Sequence, residues 1–94
     1  MKVYKFHSKS CGPCKVVEKN LKEVGLKYTS IDIMDESEYT SPEGDYDLLE
    51  QFNVRNVPTL IITDDENKVV DRFVGVLPVN AIKHLVEKWN LECV

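Results

Sequence analysis

Two cysteines separated by two residues, Cys11-Gly12-Pro13-Cys14, stand where a strand-like stretch gives way to an amphipathic one. No other feature restricts the fold of these 94 residues as much. Lys2–His7, with Val3, Tyr4 and Phe6, reads as a short strand. A turn at Ser8-Lys9-Ser10 leads into a helix that starts at the cysteines, with Val17, Leu21 and Val24 at i, i+4 and i+7. Gly25 sits where a left-handed residue would end that helix. Lys27–Ile33, with Tyr28, Ile31 and Ile33, reads as a second strand. Strand, helix and strand with short joins predict a right-handed βαβ unit and a parallel strand pair.

The second half reads differently. Met34–Tyr46 is rich in acids, Ser, Thr, Pro and Gly without a period, and is expected to be a loop. Asp45 or Asp47 can cap a short helix over Leu48, Leu49 and Phe52, with Asn53 ending it. Thr59–Thr63 and Lys68–Val74 are strands joined by the hairpin loop Asp64-Asp65-Glu66-Asn67, so this pair is antiparallel. Pro78 suits the first turn of a last helix, whose apolar stripe is Ile82, Leu85, Val86 and Trp89. The order βαβ-α-ββα predicts one α/β domain over residues 1–94: a mixed four-stranded sheet with helices on both faces.

Composition narrows the function. Net charge is -4, which argues against a general nucleic-acid binder, and no apolar run reaches membrane-spanning length. Met1–Phe6 lacks the apolar segment of a signal peptide, so a cytoplasmic, reducing location is expected. There a CxxC pair is catalytic or metal-binding rather than a structural staple. A zinc site needs two further ligands, and only Cys93, His7 and His84 are on offer, so no metal is expected. Charge is uneven: seven of the twelve Lys and Arg residues fall between Lys2 and Lys27, and eight of the sixteen acids between Asp32 and Glu50. That pattern is either a set of solvated helix faces or a basic rim with an acidic flank that steers charged partners.

Three pieces of the chain together resemble the thioredoxin family. Cys11-Gly12-Pro13-Cys14-Lys15 is similar to its active-site sequence, Val57-Pro58-Thr59 to its cis-proline segment, and Val74-Gly75 to the glycine beside bound peptide. The family's usual N-terminal strand and helix have no counterpart before Lys2. The resemblance implies a thioredoxin-like fold and a dithiol–disulfide oxidoreductase acting on protein disulfides. It also implies a reductase of the thioredoxin-reductase type as electron donor, ribonucleotide reductase as a family-type client, a monomer, and no cofactor beyond the dithiol. Glutaredoxin is the nearest rival, but it would favour a Pro-Tyr centre and a Gly-Gly-Asp segment where this chain has Gly75-Val76-Leu77. A redox-independent adaptor of the same fold is the non-enzymatic alternative.

Within that resemblance, Cys11 lies at the helix N-terminus, where unpaired N–H groups and the helix dipole lower a thiol pKa, and is expected to be the nucleophile. Cys14, one turn further in, is the expected resolving thiol, and Gly12 and Pro13 form the turn between them. Val57 and Pro58, across a cis bond, and Gly75 are expected to hold an extended substrate segment by strand addition. Two positions depart from the family. Ser10 stands where a tryptophan commonly precedes the first cysteine, and Lys5 where a buried aspartate commonly assists the resolving thiol. Lys5 is expected either to snorkel to solvent or to favour thiolate beside the cysteines, making the couple more oxidising. His7 is either a solvated turn histidine or a proton shuttle. Cys93 reads as a frayed, exposed thiol. The 34–46 segment is a tolerated insertion or, through Glu36, Glu38, Glu43 and Asp45, a selector of partners.

Overall fold

The computed structural model describes residues 1–94. Its elements are β1 (Lys2–His7), α1 (Gly12–Val24), β2 (Thr29–Asp32), α2 (Glu36–Tyr39), α3 (Leu48–Gln51), β3 (Thr59–Thr63), β4 (Val69–Val74) and α4 (Val79–Trp89). They form a four-stranded mixed sheet in the order β2-β1-β3-β4. β1 and β2 are parallel, whereas β1–β3 and β3–β4 are antiparallel.

Side-chain alternation along the strands divides the core in two. Val3, Leu60 and Ile62 face Val17 and Leu21 of α1 and Ile82 and Leu85 of α4. Phe6, Ile31 and Ile61 face Phe52, with Leu48 and Leu49 of α3 and Tyr39 of α2 packed around them. Helices therefore cover both faces, and β1 and β3, the two central strands, are buried on both.

Local chemistry sets the element ends. Gly25 takes φ +80° and its N–H reaches the carbonyls of Leu21 and Lys22, which closes α1. Asp47, not Asp45, caps α3 by accepting from the N–H groups of Leu49 and Glu50. In the β3–β4 hairpin, Asp64 Oδ1 accepts from the N–H groups of Glu66 and Lys68, while Asn67 takes φ +63°.

Four boundaries differ from the sequence reading. β2 is shorter than Lys27–Ile33, because the Lys27 N–H is used by the Glu92 carbonyl and Leu26 bridges Cys93. The same contacts pin the chain end: Cys93 is exposed, yet its backbone is paired rather than frayed. β4 starts at Val69, and Pro78 is the N-cap of α4 rather than part of its first turn. The expected loop 34–46 contains α2, capped by Asp35, whose Oδ1 accepts from the Ser37 N–H.

Leu21 is fully buried between α1 and the sheet. Leu21→Ala is expected to cost about 2–5 kcal/mol. Urea unfolding checks this, with the midpoint falling at unchanged slope.

Candidate active site

The two cysteines lie where β1 ends and α1 begins. Cys11 is the N-cap of α1 with extended backbone, φ -98° and ψ 105°. Its sulfur accepts from the Cys14 N–H at 3.1 Å, the bond that a serine or aspartate side chain usually supplies at a helix start. The pair is disulfide-bonded with the Cα atoms 5.2 Å apart. Gly12 and Pro13 occupy the first two helical positions, where the N–H that proline lacks would have no intrahelical partner. Cys11 is 9% exposed and Cys14 3%, so the first cysteine is the more accessible residue. A thiolate on Cys11 would meet an N–H and the positive end of a 13-residue helix, both of which stabilise the anion.

Strand register brings the other expected residues to the same end of the sheet. Phe6 pairs with Thr59, so Pro58 lies alongside the end of β1 that feeds the cysteines. Thr59 pairs with Val74, and the Gly75 N–H donates to the Pro58 carbonyl at 2.9 Å. The Val57-Pro58 bond is cis. Gly75 has φ +98°, and a Cβ there would meet nothing within 4 Å, so space lies open above it. Val74 and Val76 on either side are 59% and 48% exposed, which leaves an apolar edge in solvent beside that opening.

Lys5 does not snorkel to solvent. It is 2% exposed, between β1 and α1. Its ammonium is 3.9 Å from Glu18 Oε2 and 5.3 Å from the centre of the Tyr28 ring. Burial lowers its pKa, opposed by the Glu18 charge and assisted by that of Lys22. Glu18 is pulled below the usual carboxylate range, chiefly by a hydrogen bond from Lys22, whose Nζ is 3.0 Å away, and secondly by Lys5. A cavity of about 260 Å³ brings Lys5, His7, Lys9, Cys14, Lys15 and Glu18 to one lining. His7 is half-buried on the Lys5 side of β1. The carboxylates of Glu36, Glu38, Glu43 and Asp45 do not line this cavity; Glu38 is turned onto the Asp32 N–H at 3.0 Å. Ser10 is exposed beside Cys11. No group of three or more His, Cys, Asp or Glu side chains is gathered as a metal site.

Glu18 escaped the sequence reading. Its signal was available: it follows Cys14 by four residues, hence on the same helix face.

A dithiol at a helix N-terminus, carried on this sheet beside a cis-proline, defines a dithiol–disulfide oxidoreductase of thioredoxin fold. The thioredoxin family model matches residues 1–88, and the chain belongs to that family. It is 28% identical over 88 residues to the SPbeta prophage-derived thioredoxin-like protein YosR of Bacillus subtilis, spanning 94% of this chain and 98% of that one. It is 33% identical over 84 residues to the thioredoxin of Bacillus subtilis, covering 83% of this chain and 71% of the relative. Among solved structures, a mutant thioredoxin from Halobacterium salinarum superposes with a TM-score of 0.67 at 28% identity, over 98% of this chain and 75% of that one. A Plasmodium falciparum thioredoxin, at 24% identity and a TM-score of 0.70 over 94% of this chain and 84% of that one, shares the fold. As for the family generally, protein disulfides are its substrates and a reductase its electron source.

Burial of Lys5 carries a stability cost that pH should reveal. Its folded-state pKa lies below the ordinary 10.5, so the folded chain releases this proton first as pH rises. The unfolded chain then binds more protons, and wild-type stability gains from this group as pH climbs toward 10.5. Lys5→Met is therefore expected to raise the thermal midpoint at pH 7, with the advantage shrinking as pH climbs toward 10.5 and levelling off above it. A wild type more stable than the variant at pH 7 would contradict this.

Proposed function

We propose that residues 1–94 work as one domain, a cytoplasmic protein-disulfide reductase in which Cys11 attacks and Cys14 resolves. The observation that carries this is the Cys14 N–H aimed at the Cys11 sulfur, with Cys11 the more exposed of the two. In the reduced protein the Cys11 thiolate attacks one sulfur of the partner's disulfide. A mixed disulfide forms and the partner's other sulfur leaves as a thiolate. Cys14 then loses its proton and attacks the Cys11 sulfur. The Cys11–Cys14 bond closes, the partner leaves with both cysteines reduced, and two electrons have passed to it. No metal or organic cofactor enters this sequence.

The substrate backbone runs past Val57-Pro58 and Gly75. Their common position at the cysteine end of the sheet and the open space above Gly75 support that path. Exposed Val74 and Val76 add an apolar surface in the place of the missing tryptophan at position 10. Electron transport through the domain starts from a reductase of the thioredoxin-reductase type, and ribonucleotide reductase is a client of matching chemistry. In this reading the domain is a cytoplasmic monomer, where a reducing medium keeps a catalytic CxxC pair available as a dithiol.

Reduction of insulin by dithiothreitol tests the reading. Wild type accelerates it, and Cys11→Ser loses the acceleration by about a thousandfold or more. Cys14→Ser is expected to accumulate the mixed disulfide with the substrate, seen as a mass adduct removed by excess thiol. A wild type that binds partners without accelerating reduction would establish the adaptor instead.

A further inference from the structure

The exchange sequence leaves one buried charge unused. Lys5 sits under the helix that carries the cysteines, and of the two only Cys14 lines its cavity. We propose that Lys5 is a positioning residue for the resolving step: its ammonium holds Cys14 as a thiolate, and Glu18 keeps that ammonium in place. The inference rests on Cys14 being the resolving thiol.

Three observations converge. The Lys5 side chain is 3% exposed, although a four-carbon stem could carry its charge to water. Its partners are arranged to keep it charged where it lies: Glu18 Oε2 at 3.9 Å and the face of Tyr28 at 5.3 Å. The cavity ties that ammonium to Cys14, and Glu18 stands one turn beyond Cys14 on the same face of α1.

The charged residues that line this cavity are Lys5, Lys9 and Lys15 against the single acid Glu18. On α1, Lys22 bonds Glu18 at 3.0 Å and takes part of its negative charge, while Lys15 lines the cavity. From β1 and the turn after it come His7 and Lys9. On the β2 side, Tyr28 is held neutral by burial, and Asp32 spends Oδ1 on the Met34 N–H. On β3 the residue paired with Lys5 is Leu60, which does not titrate.

During resolution Cys14 gives its proton to solvent through the cavity, and the thiolate so formed faces the Lys5 ammonium. The sulfur then attacks Cys11; one S–S bond forms, the Cys11–partner S–S bond breaks, and the departing thiolate takes a proton from solvent. The ammonium stabilises the thiolate and is unchanged at the end. A cation here also stabilises the reduced dithiol over the disulfide, so it makes the couple more oxidising.

The test reads Cys14 alone, in a chain with Cys11→Ser and Cys93→Ser, by thiolate ultraviolet absorbance against pH. Adding Lys5→Met is expected to raise the Cys14 pKa by about one unit, a tenfold loss of thiolate below it, and Lys5→Arg to restore it. With both active-site cysteines present and Cys93→Ser, Lys5→Met should make the potential more negative and slow release of the partner thiol about tenfold at pH 7. Glu18→Gln should shift the Cys14 pKa by a different amount in the Lys5 chain than in the Lys5→Met chain, where only its direct charge effect remains. A folded Lys5→Met protein with unchanged Cys14 pKa and potential overturns the proposal, and equal Glu18→Gln effects in both chains remove Glu18 from it. Failure of the wild type to reduce insulin would defeat the reductase reading while the Cys14 titration still decides the role of Lys5.

Discussion

The bond on which the site depends is the one from the Cys14 N–H to the Cys11 sulfur. It makes a cysteine sulfur do the work of a helix cap, so the residue that starts α1 is also the more exposed member of the redox pair. The cap is held in place from behind. Val17 and Leu21 lock α1 against Val3, Leu60 and Ile62, and Gly25 ends the helix so that β2 can return beside β1. A helix free to slide or rotate would not keep its N-terminus at the end of β1. The capping geometry is therefore a product of core packing as much as of the four residues of the motif.

Lys5 shows the opposite balance. Placing an ammonium between a sheet and a helix costs solvation that an apolar side chain would not lose. Glu18 and the Tyr28 ring return part of that cost, but Glu18 is shared with Lys22. The strand position directs the side chain inward: β1 is central in the sheet, and Val3 and Lys5 point under α1. In the proposed role beside Cys14, the burial that lowers stability would be the same burial that tunes the thiol.

Much of the architecture was legible in the sequence because periodicity and caps are local. The strand alternation of Val3, Tyr4 and Phe6, the i, i+4, i+7 spacing of Val17, Leu21 and Val24, and the stripe from Ile82 to Trp89 each led to the right element. The helix Glu36–Tyr39 was missed because four residues leave no room for a period; its only signal was Asp35 at the cap. The truncated β2 was missed for a different reason. Lys27 has strand-like neighbours in sequence, but its N–H is taken by Glu92, near the other end of the chain. A non-local hydrogen bond of this sort leaves no trace in a window of neighbouring residues.

By itself, the sequence determined that two thiols would stand at the start of an amphipathic helix between parallel strands, because capping, helical spacing and the Gly25 stop are written in adjacent residues. It also marked Lys5 as a cation close to that site in the chain. Only the tertiary structure decided what that cation touches. The pleat turned Lys5 under α1, the helix brought Glu18 to meet it, and the cavity opened onto Cys14 and not Cys11. The register of β1, β3 and β4 likewise decided that Pro58 and Gly75 share the cysteine end of the sheet. These outcomes depend on which side chains face each other across elements, and that is set when the sheet and helices pack.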